Sequence, residues 1–231
     1  MNKYLTARAN RVFFFAVHAE RQINSAKRGF TLTEMLVVIA VITILAAMSI
    51  PALTSVDQAR GVTEAGFQLR SAIELARSHA VSRRTHVWLG MEPVVNDKHL
   101  DLRIGMVISK DGSANSAPEN LRALSRSVLI ERVGLSAAAE ADVGMDLTGA
   151  ADLATHAGGE KFKVGRAEFK SGKTLTFTPL GEVFVSPNDG PFFDSRVVMC
   201  LRQSRKTTLL PGNDVAIVID GSAGIPTIYR K

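Results

Sequence analysis

The sequence predicts an α+β chain in which one long N-terminal helix, hydrophobic first and amphipathic after, packs on an antiparallel β-rich head. Three observations carry this. From Phe30 to Ile50 there are 21 residues in which Glu34 is the only charge. Beyond Pro51 the apolar residues cease to be continuous and recur at three- and four-residue steps. From Thr85 onward, short runs rich in Val, Ile, Thr and Phe alternate with Asp, Asn and Gly, the pattern of strands joined by turns.

Residues 1–29 come first. They hold Lys3, Arg8, Arg11, Arg21, Lys27 and Arg28 against the single acid Glu20. The whole chain has 28 basic and 22 acidic side chains, so residues 30–231 keep 22 against 21 and are close to neutral. The +6 of the full sequence is therefore no argument for a nucleic-acid binder; it is positive charge placed ahead of a hydrophobic span, which holds that end in the cytoplasm and sends the remainder outward. Val12–Val17 is a short apolar run within this leader, and six residues cannot span a bilayer.

Phe30–Ile50 is the second element. As a helix it would reach roughly 30 Å, about the thickness of a bilayer core. An unpaired carboxylate near the start of such a span costs several kcal/mol to bury, so Glu34 requires a reason. A secretory signal explains neither the Gly29-Phe30 junction nor Glu34, although Ala46-Ala47-Met48-Ser49 imitates a small-residue cleavage site.

Lys27-Arg28-Gly29-Phe30-Thr31-Leu32-Thr33-Glu34, the span after it and Pro51 resemble the type IV prepilin signature shared by pilins and the pseudopilins of type II secretion. The resemblance covers about 25 residues. It implies cleavage after Gly29 by a membrane prepilin peptidase, N-methylation of Phe30 by the same enzyme, and a helix bent at Pro51. It also implies that Glu34 pairs with the methylated ammonium of Phe30 on a neighbouring subunit. The implied partners are that peptidase/N-methyltransferase, other pilins or pseudopilins in a filament, and the bacterial inner membrane, crossed once with the head outside the cytoplasm. Thr33 and Thr43 depart from the pattern: an aliphatic residue is common at the first position and Gly at the second.

The third element runs from Pro51 to Arg84. Val62, Ala65, Leu69, Ala72, Ile73, Ala76 and Ala80 form one stripe, while Asp57, Glu64, Arg70, Glu74 and Arg77 fall largely elsewhere, as in an amphipathic helix lying on a sheet. Gly61 and Gly66 weaken it by about 1 kcal/mol each relative to Ala; close helix–helix approach in a filament and simple tolerance account for them equally.

Residues 85–231 form the head. Strands are expected at His86–Met91, Leu100–Ser109, Val128–Val133, Lys161–Val164, Thr174–Thr178, Glu182–Val185, Arg196–Leu201, Val215–Ile219 and Ile225–Tyr229, with turns at Asp111-Gly112, Asn188-Asp189-Gly190 and Asp220-Gly221. Ser136–Gly159 is Ala/Gly-rich and acidic and reads as a long surface loop or a short helix with loose ends. Cys200 is the only cysteine, so no internal disulfide staples the head, and its place in an alternating apolar run reads as a buried, inert thiol. The segment Leu69–Ala80, then Phe177-Thr178-Pro179-Leu180-Gly181, then Ile217–Gly224 is similar in order to the GspH/FimT branch of minor pseudopilins, whereas residues 91–170 carry no such likeness.

The head offers little for catalysis. His79, His86, His99 and His156 are scattered, and adjacency in Ser78-His79 or Thr85-His86 does not set a hydroxyl against its base. No Cys pair or His-x-x-x-His spacing points to a metal, and no cofactor is expected. The remaining candidate is nucleic acid: Arg196, Arg202, Arg205, Lys206, Arg230 and Lys231 against Asp214 and Asp220, with Arg202, Arg205 and Lys206 as the phosphate-binding candidates. Only Tyr229 is nearby to stack a base, and a sheet edge decorated with charge to prevent aggregation is the preferred reading. The sequence thus reads as a structural filament subunit of GspH/FimT type, not an enzyme, with a DNA-binding minor pilin or a membrane-anchored periplasmic protein as alternatives.

Overall fold

A computed structural model describes residues 30–96, 99–156, 158–185 and 194–231, with only the backbone described at 49–60. The leader, Gly29 and the expected Asn188-Asp189-Gly190 turn lie outside the described residues. The chain divides into two units, Met1–Met48 and Ser49–Lys231.

Helix α1 runs from Leu32 to Arg83. In the first unit its side chains from Leu32 to Met48 are exposed on every side: Leu32 is 81% accessible, Leu36 63%, Ile42 58%, and the most covered of the large apolar residues, Val38, 44%. The Thr43 hydroxyl donates to Ala40 O at 2.8 Å, so this polar side chain is satisfied within the helix. Pro51 lies within α1 and the helix is continuous across it.

In the second unit the expected stripe is the buried face of α1. Val62, Leu69, Ile73, Ala76 and Ala80 are fully buried, and Ala65 and Ala72 nearly so. They share one core with two sheets. The first sheet is built from β1 (Val87–Val95), β2 (Leu100–Ser109), β3 (Leu121–Ala123), β4 (Val128–Ile130), β9 (Lys173–Phe177) and β10 (Val183–Val185). Its order is β10-β9-β1-β2-β3, with β4 also on β2. The second contains β5 (Val133–Ser136), β6 (Ala151–Asp152), β11 (Arg196–Arg205), β12 (Thr208–Asp220) and β13 (Pro226–Arg230). Its order is β13-β12-β11-β5, with β6 on β11. Among the described strands the pairings are antiparallel except β6 with β11; His99 and Lys206 form an isolated parallel bridge. A separate hairpin joins β7 (Phe162–Val164) and β8 (Ala167–Phe169).

Gly66 now has a cause. A Cβ there would meet Val215 Cγ1 at 2.9 Å, whereas one at Gly61 would meet no atom within 4 Å. The close approach is of helix to sheet, within one chain.

Several expectations need correction. The single strand expected at Val128–Val133 is two, β4 and β5, parted by a turn in which Arg132 has a φ of 58°. Buried Asp101 stabilises that turn by accepting from Arg132 N at 2.8 Å. Ser136–Gly159 is not a loose surface loop. It begins in β5, contains a 3₁₀ turn at Ala138–Glu140 and β6, and buries Val143 and Leu153. Val143 covers Val198, Cys200, Ala216 and Val218 on the outer face of the second sheet. On the outer face of the first sheet, Phe162, Val164 and Phe169 of the β7–β8 hairpin cover Trp88 and Val107. Both sheets are therefore apolar on two faces, and the segments that looked like an expansion of the head are their outer covers.

Candidate functional site: the helix start and the C-terminal cluster

The helix start is a local design that the sequence spells out. Thr31 precedes the first helical residue and its hydroxyl accepts from Glu34 N at 3.2 Å, while Thr31 O accepts from Met35 N at 3.1 Å. This is an N-cap with Glu at the third helical position, half of a capping box. The Thr-x-x-Glu spacing was available in the sequence, and Thr31 is the residue that reading it only for Glu34 missed. The cap uses the Glu34 backbone, so it gives no local reason for a carboxylate on that residue. Glu34 is exposed, and its carboxylate has no partner among the described residues. Phe30 is 71% exposed. Gly29 is outside the described residues, and of Pro51 only the backbone is described.

Among the described residues no helix is long and apolar enough to cross a membrane; the apolar turns whose side chains are described end at Met48. What those turns do show is a surface of Leu, Ile, Val and Met that is exposed within its own unit among the described residues. Contiguous apolar surface on this scale requires lipid or other protein against it.

The C-terminal cluster does not hold together. Arg202 is buried, and its Nε and Nη2 donate to Asp214 Oδ1 at 2.7 Å and Oδ2 at 2.9 Å. Nη2 also donates to Glu140 O at 2.6 Å. This fork leaves the guanidinium no face for a phosphate, which removes Arg202 from the expected patch. Arg202 and Asp214 stand directly opposite in the β11–β12 register, a relation legible only once the register is known. Burial pushes the Asp214 carboxyl up, but the Arg202 hydrogen bonds, the Asp142 N–H and the Arg202 charge outweigh it and hold it below the usual carboxylate range. Arg205 and Lys206 are exposed at the hairpin tip. Lys206 has a φ of 57°, and its carbonyl accepts from Leu100 N at 2.7 Å, tying the tip to the start of β2. Lys231 is also committed, its ammonium lying 2.8 Å from Asp142 Oδ2.

Cys200 is fully buried, and burial, followed by the charges of Asp152 and Asp214, pushes its thiol up to about 12. The histidines remain dispersed: His86 Nδ1 lies 3.0 Å from Gly112 O and its ring stacks on Trp88. Among the described residues no group of three or more His, Cys, Asp or Glu side chains is placed to hold a metal.

The three head segments that carry the weaker likeness do meet. Arg77 of α1 lies against Gly181 and Gly224, where an added Cβ would stand 3.4 Å and 3.3 Å from its Nε. The second and third segments also meet directly, since a Cβ added at Gly224 would run into Gly181 O.

Residues 24–50 match the family model described as the prokaryotic N-terminal methylation motif. No curated protein and no solved structure matches the chain. The motif is that of a type IV pilin-like precursor processed by prepilin peptidase.

Proposed function

We propose that this chain is a minor pseudopilin or pilin subunit of GspH/FimT type. Prepilin peptidase cuts it after Gly29 and the amine of Phe30 is methylated. The precursor crosses the inner membrane once through residues 30–50 with its head outside the cytoplasm. It then leaves the membrane by packing that helix against those of other subunits in a type II secretion pseudopilus or a type IV pilus. Its role is structural and involves no turnover. The observation that carries this reading is the conjunction of a methylation motif at residues 24–50 with a run of apolar helix whose described side chains, Leu32 to Met48, are exposed. The meeting of Arg77 with Gly181 and Gly224 supports the GspH/FimT assignment, because the likeness rests on those segments.

In this reading Glu34 acts between subunits. Inside a helix bundle its carboxylate needs a cation, and the methylated ammonium of Phe30 on a neighbour supplies one while fixing the axial register of the two helices. Glu34→Ala keeps the backbone N–H that Thr31 caps, so the precursor still folds and is still cut after Gly29, but it enters filaments poorly. Normal incorporation of the cleaved variant, scored in sheared filament fractions, refutes the pairing role. The DNA-binding alternative loses support, since Arg202 is engaged with Asp214.

A further inference from the structure

The two outer edges of the first sheet carry opposite charge beside exposed apolar residues. The strand order puts β10 at one edge and β3 and β4 at the other, roughly 20 Å apart at the usual strand spacing. Along the β3–β4 edge Val128 and Leu129 are exposed, and so are Arg122, Arg126, Arg132 and Glu131. None of these four charges has an ion-pair partner among the described residues.

The β10 edge is built from two turns. Residues 178–181 lead into β10, and Val183 N donates to Gly221 O at 2.8 Å, which brings in the turn at residues 220–224. Leu180 is 79% exposed, and Ile225 and Val81 are exposed next to the point where Gly181 and Gly224 touch. Three carboxylates belong to this edge. Glu182 accepts from the Thr178 hydroxyl at 3.1 Å, Asp194 from Val185 N at 2.9 Å, and Asp220 from Ser222 N at 2.9 Å. These donors are neutral, so the negative charges stand. Arg196, opposite Asp220 in the register, sends its guanidinium to Thr148 O at 3.3 Å. Arg77 remains as a cation, half-buried, with its Nε shut off from solvent and without a hydrogen-bond partner.

Strand addition does not join these edges, because the outward donors of β10, Val183 N and Val185 N, are both taken. Side chains can join them. Net positive charge beside exposed apolar residues on one edge answers net negative charge beside exposed apolar residues on the other, and such complementarity steers and orients docking. Two different patches on one chain make a head-to-tail contact, which repeats from copy to copy.

We propose that the β3–β4 edge of one head docks on the β10 edge of a second copy of this chain, with Val128 and Leu129 against Leu180 and Ile225 and the arginines facing the three carboxylates. The contact adds head-to-head cohesion to the filament reading and holds whether or not the leader is cut.

The test reconstitutes the full, uncleaved chain in phosphatidylcholine liposomes, so its outcome is separate from processing at Gly29. Cys200 is buried with its thiol pushed up to about 12, so a maleimide reaches only cysteines placed on the surface. Leu129→Cys and Leu180→Cys on one chain, treated with a short bismaleimide, are expected to give a ladder of dimers, trimers and longer products, while each single variant stays monomeric. Arg126→Glu lowers the ladder about fivefold, the scale of one exposed charge contact. Adding Glu182→Lys restores part of it, which a folding defect would not allow. No ladder, dimers from a single variant in equal yield, a ladder that Arg126→Glu leaves unchanged, or a loss that Glu182→Lys does not restore overturns the proposal. Should Leu129→Cys disturb folding, Val128→Cys, equally exposed on the same strand, takes its place.

Discussion

Gly105 sits beneath the ring of Phe169, so close that a Cβ on Gly105 would stand 2.5 Å from Phe169 Cζ. Its cross-strand partner Gly90 has the same relation to Phe162, again at 2.5 Å. The first sheet leaves two adjacent side-chain positions empty, and the hairpin returns two rings to fill them. Glycine in a strand interior weakens it and marks close approach by another part of the chain; the approach in this case is by aromatic side chains that seal the outer face.

Gly105→Ala therefore destabilises the head by about 1–3 kcal/mol, the cost of overpacking a filled site. Urea unfolding followed by Trp88 fluorescence measures it. Adding Phe169→Leu to Gly105→Ala recovers part of the loss, because the shorter side chain makes room. A neutral Gly105→Ala would mean that the hairpin does not seat as described.

Arg202 and Asp214 give a prediction of opposite kind. Arg202→Met leaves a carboxylate buried without its guanidinium and costs about 3–5 kcal/mol, while Arg202→Met with Asp214→Leu recovers most of it. The pair also sets an acid limit. The folded-state carboxyl of Asp214 is held below its usual range, so its contribution is complete above the unfolded value of about 4. It is lost as pH falls through the lower folded value. Wild type loses stability below about pH 4 more steeply than the double variant; parallel acid denaturation curves for the two would contradict the assignment.

Gly61 and Gly66, indistinguishable in the sequence, part company. Gly61→Ala stabilises the isolated subunit by about 0.5–1 kcal/mol through helix propensity alone, since nothing stands within 4 Å of its Cβ. Gly66→Ala gains nothing, because Val215 Cγ1 at 2.9 Å offsets the propensity. Thermal unfolding of both variants checks this. If Gly61 also serves filament packing, Gly61→Ala assembles less well although it is the more stable monomer.

The residues that could be read in advance were those governed by local rules. Val62 to Ala80 follow helical period and lie on the buried face; β2 was legible to the residue because Leu100–Ser109 is bounded by turn chemistry. The outer covers were not legible. The β8 strand is three residues of Ala, Glu and Phe, too short for any period, and its purpose lies in Gly90 and Gly105, more than 60 residues earlier. Val143 looked like a loop residue because its neighbours are Ala, Asp and Gly, and only the outer face of the second sheet gives it something to cover, while Leu153, in similar surroundings, joins the inner core. At the candidate site, Thr31 and Glu34 were readable from a three-residue spacing. Arg202 was misjudged because its charge was counted along the chain, while Asp214 answers it across a hairpin.

The central claim is that this chain is a precursor processed at Gly29–Phe30, and the intact mass and N-terminal sequence of the protein isolated from its native membrane test it most directly. The account predicts a chain that begins at Phe30 and is heavier by one methyl group. A chain that begins at Met1, or one cut in the Ala46–Ser49 region, would contradict it.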